Sequence, residues 1–265
     1  FFVYGGLFYV SVIIWSRYSE RDSALSNIVL FPLLLVCAEL AGYLANDMYL
    51  PALPQLIQDL NTTHYLVQLT LSSWFLGSAS LQLVLGPVSD RYGRRPVVLG
   101  GVLLFVLSSV VCAFATNINI LIVSRFFQGA SVCGIVVAGY SSIHEVLSQE
   151  QAIKTLAWMN SIIVLAPAFG PMVGAVVLLV GNWRGIFFIL AVWQFFVTIF
   201  LFKYMPESNP KENVRIIKVR EIIHNYFYIL KTRGFILNTG VFCLIFSGLI
   251  VWLVAGPFLV IKAFH

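Results

Sequence analysis

Three ionisable side chains sit where a chain this apolar should carry none. Glu39, Asp47 and Arg125 each interrupt a long uncharged stretch. A charge at that depth in a membrane costs about 2.5–3.5 kcal/mol on insertion scales, so such groups pair or face a wet cavity. Glu39, Tyr43, Asn46 and Asp47 recur at helical spacing and share one face of an otherwise apolar helix. An apolar surrounding favours the neutral form of a carboxyl group, which readies it for proton exchange. A proton and a bound cation could then compete for one negative charge, and mutually exclusive occupancy couples the two. The plainer alternative is a structural hydrogen-bond network between helices. Arg125 has two readings of the same kind: a packing cation held by backbone carbonyls, or a group that steadies nearby polar side chains with Gln128 one turn on. Tyr140 fits a cavity wall or aromatic packing. Asp59, His64, Glu145 and Glu150 read as solvated groups in loops or at segment ends.

The elements that carry these residues follow from composition. The chain of 265 residues is 60% apolar and only 10% charged, with mean hydropathy +0.92, where a soluble domain is nearer a quarter charged. A membrane helix needs about 20 apolar residues. Qualifying segments run over Asn27–Pro54, Tyr65–Val88, Pro96–Ala115, Ile118–Ile143, Thr155–Val180, Trp183–Tyr204 and Gly234–Ala263. This predicts an all-α membrane protein: a bundle of the first six helices over 27–205, a polar linker over 206–233, and one further transmembrane helix over 234–265. Residues 1–26 form a leading segment whose apolar part, Phe1–Trp15, is too short to cross, and no role is assigned to it. A surface helix is expected near Val219–Leu230.

The net charge of +5 belongs to orientation rather than to nucleic acid. Arg17, Arg21, Arg91, Arg94, Arg95, Lys154 and the basic run from Lys203 to Arg233 all fall on one side of the predicted spans, which the positive-inside rule makes cytoplasmic. Opposite them stand only Arg184 and Lys262. Cys37, Cys112, Cys133 and Cys243 lie in apolar stretches without metal or disulfide spacing. There is no G-x-x-x-x-G-K-[ST] phosphate loop, no catalytic triad and no metal cluster, so neither an ATP-driven pump nor an enzyme is expected, and no cofactor.

The most specific pattern is Gly86-Pro-Val-Ser-Asp90-Arg91-Tyr-Gly93-Arg94-Arg95. Gly93 permits a turn with positive φ, and Asp90 suits a helix N-terminus or the loop arginines. The run resembles the signature cytoplasmic loop of the major facilitator superfamily. Arg125-Phe-Phe-Gln128-Gly129 and the segment Ala166-Pro167-Ala-Phe-Gly170-Pro171-Met-Val-Gly174 resemble the motifs of its drug/proton antiporter branch. In the latter, small residues allow close helix approach and prolines loosen the backbone ladder. Leu30-Phe-Pro, Glu39, Tyr43, Asn46-Asp47-Met48, Gly139-Tyr140 and Leu165-Ala-Pro resemble the MdfA-type family of multidrug/proton antiporters.

That resemblance covers about Leu30 to Ser208. It implies a monomer in the bacterial inner membrane that exports lipophilic small molecules, cationic or neutral, against protons. The proton gradient would supply the energy, and Glu39 and Asp47 would handle proton and cation. Such transporters have twelve spans in two halves, so the chain resembles a fragment that should not alternate access alone. The rival readings are an exporter of one metabolite or siderophore, and a membrane fragment without transport.

Depth adds one geometric expectation. From the ends near Pro54 and Ile118, Asp47 and Arg125 each lie about 10 Å inward by helix rise, on antiparallel spans. Arg125 should therefore reach the Tyr43–Asp47 stretch, at Asp47 or at a backbone carbonyl. Glu39, about 12 Å further along, should be free of it. A reporter fused at Asn61 should read as outer and one at Asn213 as cytoplasmic, checked by alkaline phosphatase and fluorescent-protein fusions.

Overall fold

The computed structural model describes residues 23–208 and 228–264, and among them the regular structure is helical without a strand. In chain order the elements are α1 (Ser23–Asp47), a 3-10 turn (Leu50–Ala52), α2 (Leu53–Asp59), α3 (His64–Ser80), α4 (Gln82–Tyr92), α5 (Arg94–Ala113), α6 (Ile118–Val146), α7 (Gln149–Ile163), α8 (Ala166–Val180), α9 (Trp183–Tyr204) and α10 (Arg233–Phe264). Among the described residues five stretches are long and apolar enough to cross a membrane, α3 with α4 makes a sixth span bent by 43°, and α10 counts only as a shorter apolar helix over Arg233–Gly248. The leading segment to residue 22 and most of the expected surface helix lie outside the described residues.

The boundaries differ from the sequence expectation where proline or a short polar run intervenes. Span one runs apolar to Asp59 rather than Pro54. Its helix stops at Asp47 because Pro51 and Pro54 lack the N–H a continuing helix needs, and each instead sits in the first turn of a new short helix. Span two bends at Leu81 and continues to Tyr92, which places Gly86 and Asp90 inside a helix. The turn itself is Gly93 alone, at φ +102, as its residue type requires. Span five begins at Gln149, with Ser148 in a reciprocal capping box with Gln151. It breaks at Val164–Leu165, just before Pro167 in the first turn of α8.

Water cannot drive helices together inside a bilayer, so packing depends on close approach of small residues. Helix α6 runs centrally against α5 and α3. A Cβ on Gly129 would collide with the Trp74 carbonyl, and one on Gly77 with the Phe126 carbonyl. The α5–α6 crossing is set by Gly101 against Ser131 O and Gly134. Helix α8 meets α1 in the same way, Gly170 against Asp47 and Gly174 against the Met48 carbonyl. Two apolar cores fill the bundle, one around Tyr49, Trp74, Phe105 and Phe187, the other around Phe31, Leu35, Val98 and Leu201.

Gly100 and Gly101 separate this packing role from composition. A Cβ on Gly101 would lie 2.8 Å from Ser131 O, whereas one on Gly100 meets nothing within 4 Å. Gly101→Ala should destabilise by about 1–3 kcal/mol through overpacking, and Gly100→Ala should be neutral, as read by thermal unfolding in detergent.

Candidate functional site

The side chains singled out in the sequence form three groups. The first is centred on Arg125 in α6, which is fully buried. Its Nη1 donates to Ala45 O (3.1 Å) and to Gln128 Oε1 (2.6 Å), and its Nη2 donates to Asn46 Oδ1. Gln128 Nε2 passes the chain on to Ser109 Oγ at 2.7 Å. The guanidinium also lies over the rings of Tyr49, Phe187 and Trp74, at 4.9, 5.8 and 5.9 Å. Arg125 thus reaches the expected stretch, through a backbone carbonyl and Asn46 rather than through Asp47. Among the described residues no carboxylate pairs with it. Charge-assisted hydrogen bonds of about 1.5–3 kcal/mol each match the insertion cost of about 2.5–3.5 kcal/mol, so the cation is held without a counter-charge.

The second group is Glu39 and Tyr140. The Tyr140 hydroxyl lies 3.0 and 3.2 Å from the two Glu39 carboxyl oxygens. Glu39 is 2% exposed and, as expected, has no contact with Arg125. Asp47 belongs to neither group. It is buried against Gly170 of α8, and among the described residues nothing hydrogen-bonds its carboxyl. Tyr43 is the one member of the polar arc that stands open, 37% exposed. The arc is therefore divided: Asn46 turns to α6, Glu39 to Tyr140, Asp47 to Gly170, and Tyr43 outward; of the other motif residues of α8, Gly174 meets Met48, while Pro167 is exposed and Pro171 half-buried.

The third group ties the loop ends together. Arg94, nearly buried, donates from Nε and Nη2 to Glu145 Oε1 (3.1 and 2.8 Å), pairs with Asp90 at 2.6 Å, and donates from Nη1 to Ser89 Oγ. Ser208 Oγ donates to Glu145 Oε2 at 2.6 Å. The Glu207 carboxylate accepts from the backbone N–H of Arg94 (2.9 Å) and of Arg95 (3.3 Å), the first amides of α5. Arg95 donates to Phe202 O and stacks on that ring at 5.5 Å. Arg91 lies over Tyr92 at 5.3 Å, and Gly86 has open space beside it.

Sequence reasoning missed Glu145 and Glu207. Glu145 stands exposed at the end of α6, as read, but it also binds Arg94. Asp59, also read as solvated, accepts from Trp183 Nε1 at 3.0 Å. The available signal for Glu145 was an acidic residue ending span four on the arginine side. Glu207 carried none beyond its place after span six. Fully buried Gln194 in α9 was also passed over, and neither end of its amide has a partner among the described residues.

The model of the Major Facilitator Superfamily matches residues 35–264. The chain belongs to that superfamily. Among its curated relatives, the multidrug resistance protein MdtM of Escherichia coli (strain K12) is 30% identical over 93% of this chain and 59% of that protein. The multidrug transporter MdfA of Edwardsiella piscicida is 32% identical over 88% of this chain and 57% of that protein. The chain thus spans somewhat more than half the length of these relatives. Among solved structures, the proton:xylose symporter XylE superposes with TM-score 0.60 at 18% identity, covering 81% of this chain and 56% of that one. The human organic anion transporter MFSD10 does so at 0.57 and 18%, covering 76% and 53%. These two show the fold. The superfamily assignment makes the chain a multi-pass membrane protein whose family consists of transporters.

Within this major facilitator bundle, Glu207 replaces a missing helix cap. Gly93 has no side chain to accept the free amides at the start of α5, and a carboxylate beside a helix N-terminus is favoured by the dipole. Glu207→Ala should destabilise by about 0.5–2 kcal/mol and speed hydrogen exchange at Arg94 and Arg95, read by thermal unfolding and mass spectrometry.

Proposed function

We propose that the complete protein is a proton-coupled exporter of lipophilic drugs, cationic or neutral, working by alternating access. The observation that carries this reading is the state of Glu39. A carboxyl group that is 2% exposed within a membrane span has one partner among the described residues, the neutral Tyr140 hydroxyl. A carboxyl in such a place is a site for a proton or for a cation that replaces it. Asp47, equally without a cation partner among the described residues, is the second such site. Relatives named a multidrug resistance protein and a multidrug transporter, at 30 and 32% identity, support the substrate class. Tyr43, at the open edge of span one, is where a substrate would first meet this face.

In this reading residues 27–205 are the first half of the transporter, 206–233 the linker between halves, and 234–265 the first helix of the second half. The binding site lies at mid-membrane between the halves, as in secondary transporters built from repeats. The arginine loop faces the cytoplasm, the protein is a monomer in the inner membrane, and the proton gradient drives it without a cofactor or catalysed reaction.

The test uses inverted membrane vesicles carrying the complete reading frame. Uptake of a fluorescent lipophilic cation should follow an imposed proton gradient and collapse with a protonophore. Glu39→Gln and Asp47→Asn should each abolish the response to that gradient while the protein still reaches the membrane. Uptake that survives the protonophore would exclude proton coupling, and uptake of a single compound among many would favour the narrow-substrate reading.

A further inference from the structure

Arg184 is not explained by orientation, helix packing or transport. It lies at the start of α9, at the bundle end opposite the arginine loop, where the positive-inside rule disfavours a cation. Its Nη2 donates to Ala115 O at 3.0 Å, and its guanidinium lies 4.2 Å from the centre of the Trp183 ring. Trp183 is fully buried and so serves as a platform beneath the cation rather than as an interfacial anchor. The acidic residue at this end, Asp59, is engaged by the Trp183 indole, and among the described residues no carboxylate pairs with Arg184. Nε and Nη1 of the guanidinium have no partner among those residues either.

An open surface hollow of about 350 Å³ adjoins it, lined by Ala113, Phe114, Thr116, Arg184, Gly185 and Phe188. One wall is cationic with a hydroxyl beside it. The other is aromatic and open, Phe114 being 73% and Phe188 57% exposed. A cation in partial contact with an apolar, bilayer-facing wall fits an amphipathic anion. A free inorganic anion would gain nothing from the phenyl rings, and a neutral apolar molecule nothing from the guanidinium.

We propose that this hollow, between the end of α5 and the start of α9, binds the phosphate headgroup of an anionic phospholipid from the leaflet opposite the arginine loop. The phosphodiester accepts from the free guanidinium nitrogens and from the Thr116 hydroxyl, and an acyl chain runs along Phe114 and Phe188. The seat lies at the shared end of the third and sixth spans, which pack against each other and are tied there by the Arg184 hydrogen bond to Ala115.

The test is native mass spectrometry of the complete protein purified in micelles holding equal phosphatidylglycerol and phosphatidylcholine. The wild type should retain phosphatidylglycerol in preference. Arg184→Gln should reduce that retention about fivefold, the effect of one basic side chain at a membrane surface, and Arg184→Lys should keep most of it. Gly185→Leu keeps the charge but fills the hollow, and it should also lose the lipid. A Cβ at Gly185 meets only ordinary contact, Val177 Cγ1 at 3.4 Å. Equal retention of the two lipids by the wild type would overturn the proposal whatever the variants do. So would unchanged retention in Arg184→Gln, or displacement of the lipid by excess inorganic phosphate, which would mark a small-anion site instead.

Discussion

The bundle depends on keeping one guanidinium charged in a place where water cannot reach it. Arg125 draws its partners from elements far apart in sequence: a carbonyl and an amide from span one, a glutamine from its own helix, and aromatic faces from the end of span one, span two and span six. Through Gln128 it also reaches Ser109 in span three. In a bilayer the apolar faces of helices gain little by leaving lipid for each other, so a polar knot that satisfies several spans at once does what a hydrophobic core does in water. Its partners are all neutral. The cation is therefore solvated by fixed dipoles, and the two carboxyl groups of span one are left unpaired with it.

The other end of the bundle repeats the logic with charges of both signs. Arg94 gathers Asp90 from α4 and Glu145 from α6, while Ser208 and Glu207, just past α9, bond to Glu145 and to the first amides of α5. This cluster is partly exposed, and isolated surface pairs of this sort contribute little. Its strength lies in being a network, with a backbone cap at its centre.

Much of this is legible in the sequence. Hydropathy located the spans because a helix in lipid must be apolar along its whole length, and the sixth span, Trp183–Tyr204, matched at both ends. Helix rise alone placed Arg125 level with Asp47 and in reach of the Tyr43–Asp47 stretch, where it meets Ala45 and Asn46. The breaks at Leu81 and at Val164–Leu165 were not located, since an apolar run reads the same whether straight or bent. The direction of Asp47 toward Gly170 escaped because helical phase gives a face but not the neighbour behind it. Glu145 and Glu207 escaped for a different reason: a charge at a span end has the same sequence appearance whether it meets water or an arginine on another helix.

The contact between α8 and α1 has a mechanical meaning. Gly170 brings the α8 backbone onto the Asp47 Cβ, and Gly174 brings it onto the Met48 carbonyl just past α1, with no side chain of α8 between them. Side chains cushion a helix interface, because rotamers can change while the axes stay put. A seam with bare backbone on one side has little such slack. It behaves as a stiff bearing, in which a shift of α8 along its axis is passed undamped to the carbon that holds the Asp47 carboxyl.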